Sequence, residues 1–150
     1  MNPLGAMACA AGKGLFAGVA GTAAMTASST IEMKLRGRPA STTPAVAACK
    51  VLGIELAEEQ QKAGFANAVH WLYGTAWGSM RGYLALAQLP PLGAAAAFFA
   101  TVWGTELAML PKLGVTPPVS QWGTTEIAVD AFHHAVYAAA TSCAYMLLEQ

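Results

Sequence analysis

Apolar residues fill four long stretches of the chain, and polar residues collect mainly between the first and the second. The apolar stretches cover about 14–33 (GLFAGVAGTAAMTASSTIEM), 65–88, 92–110 and 125–148. Each is long enough to cross a hydrocarbon core of about 30 Å at about 1.5 Å per residue. The polar stretch, 34–64, carries its own punctuation. Thr43 followed by Pro44 reads as an N-cap and first helical residue, and Gly53 as a stop. This predicts a short, mostly apolar helix, PAVAACKVL, lying on a membrane surface or against the bundle. A second helical piece, ELAEEQQKA, leads into the second span. The remaining connections, QLPPLG and PKLGVTPPVSQWG, contain prolines that halt any helix. The expected fold is therefore all-α: one integral membrane domain over residues 1–150, with about four transmembrane helices and a juxtamembrane amphipathic helix.

Composition supports a membrane setting. Only 11% of residues are charged and 55% are hydrophobic, whereas an ordinary soluble domain is about 25% charged. Mean hydropathy is +0.44. Eight basic and eight acidic residues cancel, so nothing points to nucleic acid as a partner. The lipid bilayer is the expected one. Lys34, Arg36, Arg38, Lys50 and Lys62 in the first connection and Lys112 in the third face the cytoplasm by the positive-inside tendency, which leaves both termini outside. Lys13 and Arg81 lie on the wrong side of that scheme. MNPLGAMACAAGKG has no charge before Lys13 and makes a poor cleavable signal, so the following run is expected to stay as a span. Cys9, Cys49 and Cys143 are far apart in sequence, which excludes a CxxC motif and suits small apolar residues.

Small residues are abundant within the spans. His70, Gly74, Gly78 and Gly82 recur every fourth residue and fall on one helical stripe. Three glycines would weaken a soluble helix by roughly 1 kcal/mol each. In a bilayer they form a packing surface, because close backbone approach drives helix association there. Gly14, Gly18 and Gly21 make a similar stripe in the first span. Either stripe offers a face for a second copy or a membrane partner.

Up-and-down topology gathers the ionisable residues at one end. There lie Glu32, His70, Glu106 and the run Glu126, Asp130, His133, His134, while the other half holds little besides Arg81. Intramembrane acids and histidines are costly and usually face the bundle interior. Glu32 shares a face with the glycines of span one, and His70 heads the stripe of span two. Glu126, Asp130, His133, Tyr137 and Thr141 share a face of span four, with His134 at its edge. Glu106 aligns with Ala95, Phe99, Val102 and Trp103, and its direction stays open.

Several uses fit such a cluster. Glu32, His70, Asp130 and His134, with Glu106, Glu126 and His133 beside them, form a ligand set for zinc, iron or manganese. The same groups suit a proton relay, and His70 with His134 would suit a haem. They also suit a purely structural role, capping helix ends and bonding one another near the interface. No HExxH order, phosphate-binding loop or nucleophile elbow is present, which leaves chemistry on a metal-bound water as the enzymatic option. The main expectation is transport or handling of an ion, metal or proton. The alternative is a structural or accessory protein packing through its glycine faces.

Four stretches, AGVAGTAAMTASSTIEMKLRGRPASTTPA, NAVHWLYGTAWG, LPKLGVTPP and DAFHHAVYAA, resemble small bacterial integral membrane proteins of unknown function related to the YagU-like inner-membrane group. The resemblance runs from about Ala17 to Tyr145, with LGVTPP and the following His/Tyr helix its most specific part. It implies a multi-pass inner-membrane protein and lends no activity. On its pattern the acid ending span one is Glu32, the His-Trp pair is His70 and Trp71, and the His-x-x-Tyr is His134 and Tyr137. Ala138 stands where a glycine often follows that tyrosine.

Overall fold

The computed structural model of the chain describes residues 2–56 and 58–150. Among these, five α-helices and one 3-10 turn form the fold: α1 (Pro3–Arg36), α2 (Thr43–Leu52), α3 (Glu59–Leu86), α4 (Pro91–Lys112), the turn Val119–Gln121, and α5 (Thr124–Leu148). No strand occurs among the described residues. The fold is an all-α helical bundle.

Local chemistry sets the helix ends. The Asn2 side chain accepts a hydrogen bond from the Gly5 amide at 2.6 Å, and Pro3 occupies the first turn, so α1 begins well before residue 14. Gly37 and Gly53, with φ of 63° and 66°, close α1 and α2 in the left-handed region. The short helix expected after Thr43 is α2, with Thr43 already helical and Thr42 at the cap. The piece expected from Glu55 does not stand alone: residues 54–56 are not helical and Glu59 opens α3. Ala57 of that piece lies outside the described residues.

The packing is antiparallel, and the glycines set its closeness. Along α1 the order Ala10, Gly14, Gly18, Thr22 meets Gly82, Gly78, Thr75 and Gly74 of α3 in reverse. A Cβ on Gly14 would lie 2.8 Å from the Ser79 Cα, and one on Gly78 would lie 2.6 Å from the Gly18 Cα. Gly21 instead receives Tyr137 and Thr141 of α5. α4 packs on α5 and α3, and α2 rests on α3. Phe98, Val102, Tyr137 and Ala138 form the core where α4 meets α5. The Tyr137 hydroxyl donates to the Gly74 carbonyl at 2.6 Å, joining α5 to α3.

The glycine stripes Gly14, Gly18, Gly21 and Gly74, Gly78, Gly82 face the chain's own helices, whose backbone atoms, and at Gly21 and Gly74 side chains, lie where a Cβ would project. One expectation needs correction: two helices are long and apolar enough to cross a membrane, Pro3–Arg36 and Pro91–Lys112, where four are expected. The reason lies in the other two helices. α3 carries Gln60, Gln61, Lys62, Asn67, His70 and Arg81, and α5 carries Glu126, Asp130, His133 and His134, which lower their mean hydropathy.

Candidate metal centre

α5 has an unusual buried face. Its buried residues are His133, His134, Tyr137, Ala138, Thr141, Ser142 and Tyr145, so all but Ala138 carry a polar atom. Buried polar atoms need partners, and following those partners divides the expected cluster into three groups.

The first group belongs to Glu32. Arg38 grips both its carboxylate oxygens and Arg36 reaches one at 3.1 Å. This arrangement folds the chain after α1 back onto its last turn. His133 stands on the other side, with Nε2 3.8 Å from Glu32 Oε2. The Ser28 hydroxyl gives its hydrogen to the Met25 carbonyl at 2.9 Å, so the 2.9 Å contact with His133 is an Nδ1–H donation to Ser28 Oγ. Glu126 is exposed and faces Arg36 at 3.9 Å.

The second group is His70 alone with Thr26. The Thr26 hydroxyl donates to the Thr22 carbonyl at 2.7 Å, which uses its one hydrogen. His70 Nε2, 2.9 Å from Thr26 Oγ1, must therefore donate. In that tautomer Nε2 has no lone pair for a metal.

The third group is Glu106, Asp130 and His134. Among the described residues it is the set of His, Cys, Asp and Glu side chains that converges closely enough to hold a metal ion, with one ligand atom from each lying within 4.8 Å of the others. Metal bonds of about 2.0–2.2 Å fit such a span. Two of the three side chains are held in place from behind. His134 Nδ1 donates to the Asp130 main-chain carbonyl at 2.9 Å, which fixes the ring and turns Nε2 toward Glu106. The Trp103 indole N–H donates to Asp130 Oδ2 at 2.7 Å, and Asp130 Oδ1 lies 3.7 Å from His134 Nδ1. Glu106 contacts His134 Nε2 directly, and a metal ion bound here would have to replace that contact.

The helix geometry explains the meeting. Trp103 and Glu106 are one turn apart on α4, as are Asp130 and His134 on α5. The antiparallel α4–α5 contact, anchored by Phe98 against Tyr137 with ring centroids 5.6 Å apart, brings the two pairs opposite each other. Phe99 stacks on Trp103 at 5.3 Å and steadies the indole. Helical spacing puts Trp103 on the Glu106 face, and the structure adds its role as a donor to Asp130. Its spacing of three from Glu106 is the signal that carries it.

No family model matches this chain, and neither a curated protein nor a solved structure matches it. Function must come from the site itself.

The indole bond supplies a direct test. Trp103→Phe keeps the stacked ring but frees Asp130 Oδ2. Metal affinity measured by competition with a chelating dye should fall by about 10- to 100-fold, with the helical circular-dichroism signal unchanged. Undiminished affinity would show that Asp130 needs no such support.

Proposed function

We propose that this chain is a multi-pass bacterial inner-membrane protein that binds a divalent transition metal, zinc, iron or manganese, through Glu106, Asp130 and His134. The observation that carries this reading is the convergence of one imidazole and two carboxylates from two helices, two of them oriented by dedicated hydrogen bonds. A merely structural ion pair needs one acid for one histidine. A second carboxylate in the same place is the expected complement to a dication.

The membrane setting is supported by how the surface is divided. Leu4, Phe16, Leu35, Leu72, Leu92, Phe132 and Leu147 are exposed, while Thr22, Arg81, His133, His134, Thr141 and Ser142 are buried. A protein folded in water arranges these types the other way. In this reading α3 and α5 cross the bilayer beside α1 and α4, their polar residues turned inward, and the connection 37–58 faces the cytoplasm. The resemblance to the YagU-like group favours the same setting. Handling of a metal ion from the cytoplasmic side, in transport or storage, is the activity that follows.

Metal analysis tests the proposal most directly. Protein purified in mild detergent after growth with supplemented zinc, iron and manganese should carry about one equivalent of one of them. A metal content near zero, together with no binding of any of the three by calorimetry, would overturn it.

A further inference from the structure

α4 is one of the two helices long and apolar enough to cross a membrane. On it Ala100, Gly104, Ala108 and Lys112 recur every fourth residue and are all exposed, so they share the stripe that α3 and α5 leave uncovered. An open groove of about 600 Å³ runs along this stripe from Ala100 to Leu113. Gly104 stands in open space, since a Cβ there would meet nothing within 4 Å. The Thr101 and Thr105 hydroxyls beside it donate to the Ala97 and Thr101 carbonyls at 2.7 Å, which uses their hydrogens. The wall is therefore apolar in character. A cation closes one end. Lys112 lines the groove there, and Lys50 Nζ lies close by, 2.8 Å from the carbonyls of Leu113 and Gly114. Neutral carbonyls occupy the Lys50 donors without cancelling its charge. No acid lines the groove, and no carboxylate pairs with Lys112 or Lys50 among the described residues.

Length and charge select the occupant. Ala100 lies twelve residues before Lys112 on α4, about 18 Å along the axis. That is close to one leaflet, half of a hydrocarbon core of about 30 Å. A partner helix would follow the stripe across both leaflets, but the groove stops at Ala100 and Leu92 projects beyond it. An acyl chain ends within its own leaflet, and it restores the dispersion contacts that an unfilled groove forfeits. Basic side chains at the cytoplasmic surface attract anionic headgroups. We infer that the α4 groove binds one anionic phospholipid of the cytoplasmic leaflet. An acyl chain lies along Ala100, Gly104 and Ala108, and the headgroup phosphate meets Lys112 with Lys50 beside it. The inference rests on the membrane setting proposed above and uses none of the metal ligands.

Native mass spectrometry of the intact protein in detergent, titrated with phosphatidylglycerol or phosphatidylcholine, tests the inference. The wild-type protein should hold one phosphatidylglycerol about fivefold or more tighter than phosphatidylcholine. Lys112→Gln should weaken phosphatidylglycerol about fivefold and leave phosphatidylcholine nearly unchanged. Gly104→Leu fills open space and should weaken both lipids. Equal wild-type affinity for the two lipids, or no loss in Lys112→Gln, would overturn the site. Undiminished binding by Gly104→Leu would place the lipid elsewhere. A wild-type dimer that Gly104→Leu converts to monomer would show that a second copy covers the groove, which refutes the lipid. Alkaline washing of cell membranes checks the setting separately. A protein that washes off loses the setting and the lipid site together, whereas one that stays but fails the titration loses the lipid site alone.

Discussion

Gly78→Ala should destabilise the bundle by about 2–4 kcal/mol, a large effect for one added carbon. The new Cβ would overlap the Gly14 carbonyl oxygen and lie 2.6 Å from the Gly18 Cα. These are backbone atoms of a long helix, so no side chain can rotate away to make room. α1 would have to move off α3 along its whole contact, loosening Gly14, Gly18 and Thr22 together. Gly104→Ala provides the control, because nothing lies within 4 Å of the position a Cβ would take there. Helix propensity alone then acts, and the variant should be unchanged or more stable by up to about 1 kcal/mol. Thermal or denaturant unfolding in one detergent compares the two. If both substitutions give the same stability, the close α1–α3 approach is not what holds the bundle.

His134→Gln should cost the metal centre at least about a hundredfold in affinity, close to 3 kcal/mol. An amide is a weak ligand for zinc, iron or manganese. It would also lack the ring N–H that bonds the Asp130 carbonyl. His70→Gln is the informative comparison. His70 donates to Thr26 on α1, so an amide N–H can replace it and metal content should be retained. Equal loss of metal in the two variants would mean that His70 belongs to the ligand set and that the two groups are one. Equal retention would remove His134 from the set.

The helices were legible in the sequence because their determinants are local. Pro44 starts a helix and Gly53 ends it, the Pro90–Pro91 pair separates two more, and apolar runs of spanning length lie between such signals. The gathering of acids and histidines at one end was legible too, since alternating helix direction decides it. The N-terminal extension of α1 was not, because residues 3–13 form a helix through the Asn2 cap and packing against α3 more than through apolar character.

Which members of the cluster meet was decided by tertiary structure alone. Helical spacing puts Glu32, His70, Asp130 and His133 on inward faces, but facing inward does not choose a partner. Arg38, six residues beyond Glu32 and past the helix end, turns back to claim that carboxylate. Hydroxyls of α1 take His70 and His133. Glu106, whose direction the α4 pattern left open, is the residue that reaches His134. The same division holds for the glycines. Their period marks a close-packing surface from sequence alone, but only the folded chain supplies the second glycine stripe that fills it. Periodicity fixes the angle of a side chain about its own helix. Contact depends on the rotation, depth and spacing of two helices, and these are set by packing among residues far apart in the chain.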